Sequence, residues 1–110
     1  MEEPCCEVVV TAADPEWLAD LTRSLVEERL AACGHQTVAV RTRYRWQGVV
    51  HDERESRVAL HTREALVPAI VDRVGAVHPY DVPCVIALPI TEGNPDYLDW
   101  IVAETRSGGA

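Results

Sequence analysis

Val38-Ala39-Val40-Arg41-Thr42-Arg43-Tyr44-Arg45-Trp46 alternates from end to end. On an extended chain Val38, Val40, Thr42, Tyr44 and Trp46 share one face, and Ala39, Arg41, Arg43 and Arg45 share the other. The first face is suited to packing and the second is a row of guanidinium groups. Gly48 marks a bend, and His51-Asp52-Glu53-Arg54-Glu55 leads into a returning strand whose inner residues are Val58 and Leu60. The two strands make a long hairpin. Asp52, Glu53 and Glu55 on the returning limb predict cross-strand ion pairs as the reason for the arginine row.

Upstream, the β-branched run Val8-Val9-Val10 predicts a buried strand, and Asp14-Pro15 supplies an N-cap followed by proline at the first helical position. From Pro15 to Cys33, Leu18, Leu21, Leu25, Val26, Ala32 and Cys33 share one helical arc. Gly34 is expected to end that helix in the left-handed conformation, with Arg29 snorkelling in its last turn. Downstream, Thr62 is expected to cap a second helix through Ala65, Leu66, Ala69, Ile70 and Val74, kinked at Pro68 and closed by His78-Pro79. Val82 to Ile90 reads as a strand buried on both faces. Asn94-Pro95 then launches a short helix holding Tyr97, Leu98, Trp100 and Ile101.

The order strand, helix, strand, strand, helix, strand, helix predicts an α+β fold. It is the ferredoxin-like βαββαβ sandwich with a long β2-β3 hairpin and an extra C-terminal helix, two helices covering one sheet face. One domain is expected over residues 1–110, with its core at about 7–104 and flexible ends at 1–5 and 107–110.

Composition narrows the function. Ten basic residues against eighteen acidic ones give a net charge of −8, which opposes a nucleic-acid partner. All ten are arginine, so neither a Schiff-base lysine nor a P-loop lysine is available. No apolar run nears the roughly 20 residues of a bilayer span, and Met1-Glu2-Glu3 is unlike a basic signal start. A cytoplasmic protein with no membrane partner is expected. Cys5, Cys6, Cys33 and Cys84 show neither a C-x-x-C pair nor a zinc-finger layout. The first two are expected as free thiols and the last two as small core residues. No serine or cysteine sits in a strand-to-helix elbow, and Glu53 and Glu55 lie among arginines, so no catalytic residue is assigned.

Five blocks in one order carry a family resemblance: Val9-Val10-Thr11-Ala12 before Asp14; Leu30-Ala31-Ala32-Cys33; Tyr44-Arg45-Trp46-Gln47-Gly48; His78-Pro79-Tyr80 with Pro83; and Thr91-Glu92-Gly93-Asn94 with Tyr97-Leu98-Asp99-Trp100. From about Val8 to Trp100 the chain resembles the CutA divalent-cation-tolerance family. The resemblance implies a homotrimer, related in architecture to PII signalling proteins, with Tyr44, Trp46, Tyr97 and Trp100 as candidates for the subunit boundary. It also implies a non-enzymatic role in tolerance of divalent cations, with Cu(II) or another divalent ion as ligand and none needed for folding.

The metal ligands that the family implies are a thiol at the end of the first strand and histidines before Pro-Tyr. Here Val10 and Val77 stand at two of those places and His78 alone matches. The alternative for His78 is a structural role closing the second helix. The PII-like alternative is a small anion held in clefts between subunits, lined by Arg43, Arg45, Glu55, His61 and Tyr80 beside the boundary aromatics. His61 replaces a common family lysine, so an anion held there is expected to bind more weakly as pH rises. His35 and His51 match no motif and are expected in exposed loops. A scaffolding trimer without ligand is the third reading.

Overall fold

In the computed structural model, which describes residues 3–107, four antiparallel strands form one sheet in the order β2-β3-β1-β4. The elements are β1 (Cys5–Ala12), α1 (Pro15–Glu27), β2 (Cys33–Trp46), β3 (Val49–Arg63), α2 (Val67–Val77), β4 (Val85–Pro89) and α3 (Pro95–Glu104), with a short 3-10 turn at Glu64–Leu66 before α2. This is the expected ferredoxin-like order. On one face Cys6, Val8, Val10, Ala12, Val58 and Leu60 pack against Leu18, Leu21 and Leu25 of α1 and Ile70 and Val74 of α2. Cys5, one residue out of phase, packs on the opposite face with Ile101 of α3. Cys5 is buried and belongs to β1; of the ends expected to be flexible, residues 1–2 and 108–110 lie outside the described residues.

The caps explain where the helices begin. Asp14 accepts from the Glu16 amide at 2.9 Å, and Asn94 accepts from the Asp96 amide at 3.0 Å, each with proline next in sequence. α1 stops at Glu27, six residues before the expected end, because Arg29 and not Gly34 takes the left-handed conformation, at φ 60°. The Leu30 amide returns to the Leu25 carbonyl at 2.9 Å and the Arg29 amide to that of Val26 at 3.0 Å, the paired bonds of a Schellman ending. Arg29 is fixed in this conformation by its partners: its guanidinium donates to Ala103 at 2.9 Å and its carbonyl accepts from the Arg106 amide at 2.9 Å. Gly34 lies in β2, where a Cβ would meet Thr22 Cγ2 at 2.5 Å and Leu60 Cδ2 at 3.0 Å. Its role is close approach of strand to helix.

Four further expectations change. Thr62 belongs to β3 and donates to the Leu30 carbonyl at 2.6 Å; α2 has no side-chain cap, and Pro68 sits in its first turn, where no amide is needed, so it makes no kink. β4 is five residues long, forms a sheet edge and leaves Ile86 and Leu88 exposed, so it is not buried on both faces. The thiol burial is also reversed in part: Cys5 and Cys6 are buried, Cys33 is half-buried and Cys84 is exposed.

The hairpin turns through Gln47 and Gly48 at φ 51° and 80°, the two positive angles of a two-residue turn matched to strand twist. A bulge sets Val38 and Ala39 of β2 against Ser56 alone, between the pairs Thr37–Arg57 and Val40–Glu55. It changes which residues face which side. Cys33, His35 and Thr37 face away from α1 and α2 before the bulge; Val40, Thr42, Tyr44 and Trp46 do so after it. Of the expected ion pairs, Asp52 holds Arg41 through two bonds at 2.8 and 3.0 Å and reaches Arg43 at 3.7 Å, whereas Glu53 and Glu55 turn to tyrosines on the other face.

No basic side chain of α3 itself meets its C-terminal carbonyls. Arg63 of β3 supplies one, donating to Val102 at 2.6 Å, to the Thr105 carbonyl at 3.0 Å and to its hydroxyl at 2.9 Å, while pairing with Glu3 at 2.8 Å. Charged donors of this kind contribute about 1.5–3 kcal/mol. Arg63→Ala is therefore expected to lower unfolding stability by about 2 kcal/mol and to speed amide exchange in α3 before α1; uniform protection across both helices would refute the clamp. Gly34→Ala is expected to cost about 1–3 kcal/mol in a denaturant titration through overpacking against Thr22, and an unchanged midpoint would show that the contact yields freely.

Candidate functional site

The expected site residues separate into two groups. Glu55 and His61 share a strand and a face but stand six residues apart, roughly 20 Å at strand spacing. Tyr44, Trp46, Glu55 and Tyr80 come together, and His61, Tyr97 and Trp100 gather elsewhere. Arg43 and Arg45 join neither group, because strand alternation points them to the opposite side of the hairpin.

The first group lines a cleft of about 460 Å³ between the hairpin and the loop that follows α2. Thr11, Thr42, Tyr44 and Trp46 form one wall; Tyr80, Asp81, Val82 and Cys84 form the other, with Glu55 between them. Glu55 is 6% exposed and accepts from the Tyr80 hydroxyl at 2.8 Å. Burial first, then that carboxylate, pushes the Tyr80 phenol well above its ordinary range. Tyr44 donates to Glu53 and stacks on His51 at 5.0 Å; that bond holds its phenol above the usual value too. The charged lining is acidic. Arg43 and Arg45, the cations expected to hold an anion, lie on the opposite side of the hairpin from this cleft. His51 is a strand residue, not a loop residue.

His78 is the one residue placed where the family's metal histidines are expected, and its imidazole is fully engaged. It is 8% exposed; Nε2 donates to the Thr11 carbonyl at 2.8 Å and Nδ1 accepts from the Tyr80 amide at 3.1 Å. A backbone carbonyl only accepts and a backbone amide only donates, so the tautomer is fixed and no lone pair is free. Trp17 packs edge-on against the ring at 4.9 Å. His78 joins the end of α2 to β1 and, with both ring nitrogens engaged, does not fit a metal.

The second group lies at the other end of the sheet, under α3. Pairing of Cys33 with His61 and of His61 with Glu7 places three strands' side chains in one row. His61 Nε2 meets Glu7 at 3.0 Å and Nδ1 meets the Tyr97 hydroxyl at 2.5 Å. Cys33 Sγ lies 3.3 Å from that hydroxyl and 3.7 Å from His61 Nδ1. Burial, followed by the Cys33 hydrogen bond, pushes the Tyr97 phenol up to about 12. Trp100 stacks on Tyr97 at 5.5 Å. Within the chain, His61 is surrounded by Glu7, Cys33 and Tyr97.

His35 completes the row. Expected in a loop, it is an exposed β2 residue two positions beyond Cys33, with its ring centroid 5.1 Å from that of His61. One donor atom from each of Cys33, His35 and His61 falls within 4.8 Å of the others. The Cys-x-His spacing on a strand was the available signal; its partner His61 comes from pairing register, which spacing does not reveal. The thiols at Cys5 and Cys6 are different. Burial pushes Cys6 up to about 11, with Glu64 and Cys5 adding to it, and burial raises Cys5 as well, so both favour the protonated form.

A family model described as CutA1 divalent ion tolerance protein matches residues 6–104. The divalent-cation tolerance protein CutA of Thermus thermophilus is 42% identical over 98 residues, covering 89% of this chain and 95% of that protein. A chloroplastic protein CutA of Arabidopsis thaliana is 39% identical over 104 residues, and there the match spans 94% of this chain but 57% of the relative's length. The crystal structure of CutA1 from Oryza sativa superposes with a TM-score of 0.92 at 40% identity, covering 96% of each chain. The chain belongs to the CutA1 divalent ion tolerance family.

Proposed function

We propose that the chain works as a homotrimer, without catalysis, in tolerance of divalent cations, copper among them. The observation that carries the assembly is the apolar strip on the projecting hairpin. Trp46 is 41% exposed and Val49, its cross-strand partner, 56%, with Tyr44 open beside them on the same face of the ribbon. Exposed apolar surface of this kind, next to strand edges with unpaired backbone groups, favours a protein partner. Hairpin-to-sheet contact between copies is heterologous and must close into a ring to avoid a filament; the family resemblance supports a ring of three.

The acidic lining of the cleft supports a cation-handling role over the PII-like anion sensor. A compact metabolite anion brought beside Glu55 and Asp81 would meet like charge in a partly desolvated place. The family's cation chemistry needs no nucleophile, and none is assigned.

Sedimentation equilibrium is expected to return three times the 12.2 kDa chain mass. Trp46→Glu is expected to shift the mass toward one copy, whereas Arg43→Glu, on the opposite face, leaves it unchanged. A wild-type monomer at micromolar concentration would defeat the proposal. In a copper-sensitive host, expression of the chain is expected to raise the copper concentration that permits growth; no rise would remove the tolerance role.

A further inference from the structure

We infer that Cys33, His35 and His61 form a binding site for a divalent transition-metal ion of the zinc type, oriented by Glu7 and open at a fourth position. The inference deepens the cation-handling reading above and rests on it for biological meaning, but the binding chemistry stands on this chain's own geometry. The site is distinct from the family positions, which Val10, Val77 and the engaged His78 occupy.

Ligand type comes first. One thiolate and two imidazoles suit zinc or copper and are poor ligands for magnesium or calcium. In a tetrahedral zinc site, sulfur and nitrogen donors lie about 3.5 Å apart, which follows from bond lengths of about 2.3 and 2.0 Å. The 3.7 Å between Cys33 Sγ and His61 Nδ1 is close to that edge, and the His35 donor stands within 4.8 Å of both. The exposed His35 has to adjust its rotamer, and the Tyr97 hydroxyl has to give up its place at His61 Nδ1.

The surrounding groups select the atom. Glu7 accepts from Nε2–H of His61, which leaves the Nδ1 lone pair turned toward Cys33. A carboxylate on the far nitrogen of a ligating histidine is the arrangement that fixes tautomer and ring direction in metal sites. In the metal-free protein the Tyr97 hydroxyl donates to that same lone pair. The ion replaces this proton donor and the Cys33 thiol proton leaves to solvent, so Tyr97 competes with metal. Three protein ligands with an open fourth place make an exchangeable site, unlike the closed four-ligand sites that hold a fold together. Partial exposure of Cys33 and His61 and the exposed position of His35 give the ion a path in.

The test is a zinc titration against a chromogenic chelator, repeated with Co(II) to read the thiolate-to-metal absorption band. Wild type is expected to bind one ion per chain with that band present. Cys33→Ser should abolish the band, and His35→Ala and His61→Ala should each weaken binding at least about tenfold. Glu7→Gln should weaken it about 10–100-fold, the usual loss when the hydrogen-bond partner of a ligating histidine is removed. Tyr97→Phe should bind as tightly as wild type or tighter, while His78→Ala should bind like wild type. Metal-free melting curves identify any variant that fails to fold, and His35→Ala, at an exposed position, keeps the test decisive. Binding unchanged in His35→Ala and a cobalt band unchanged in Cys33→Ser would overturn the site and leave the family-level function standing. A site that binds as described, in a host protected equally by His35→Ala and wild type, would instead sink its role in tolerance.

Discussion

Strand β3 pairs with β2 from Val49 to His61 but with β1 only from Ser56 to Arg63, and the rest of the molecule is arranged around that mismatch. Where both neighbours are present, one side of β3 enters the helix-covered core through Val58, Leu60 and Thr62, and the other carries His61 and Arg63. Where β1 is missing, β2 and β3 project as a two-stranded ribbon, and the molecule extends to 47 Å in one direction and 23 Å in another. A ribbon without a packed face is marginal alone. Its apolar strip therefore requires cover, while its arginine and aspartate face stays in water.

The same strand joins the two chemically distinct ends. Near the ribbon, Glu55 lies buried among tyrosines beside an acidic cleft. At the far end, His61 stands between a thiol, a phenol and a carboxylate, and two positions later Arg63 holds the carbonyl end of α3. That clamp matters for the chemistry, because α3 carries Tyr97, and Tyr97 sits on the His61 nitrogen that a metal would need. Arg29, just past the end of α1, reinforces it through Ala103 and the Arg106 amide. Two arginines that look like surface charge in the sequence are thus what keeps the phenol over the row of donors.

Local signals were the legible ones. Asp14-Pro15 and Asn94-Pro95 specify helix starts by chemistry confined to three residues, and the alternation through Trp46 specifies a strand by side-chain period alone. The misread points depend on distant partners. Gly34 looks like a helix terminator, yet its missing Cβ is required by Thr22; Thr62 looks like a cap, yet its hydroxyl belongs to Leu30. The bulge opposite Ser56 shifts the phase between Thr37 and Val40, so no single period describes both halves of β2. The aromatic side of the cleft was readable as Tyr44, Trp46 and Tyr80, but the direction of Arg43 and Arg45 follows from pairing. Cys33, His35 and His61 converge through register between β2 and β3, and a lone histidine in sequence gives no sign of it.

This register is proposed to build a cation site from Cys33, His35 and His61, away from His78. Its most direct test is a crystal of the zinc-loaded protein with diffraction recorded on both sides of the zinc absorption edge. An anomalous peak is expected about 2.3 Å from Cys33 Sγ and about 2.0 Å from one nitrogen each of His35 and His61, with the His78 ring still bound to Thr11 and Tyr80. A peak at His78, or occupied zinc elsewhere with the Tyr97–His61 hydrogen bond intact, would contradict it.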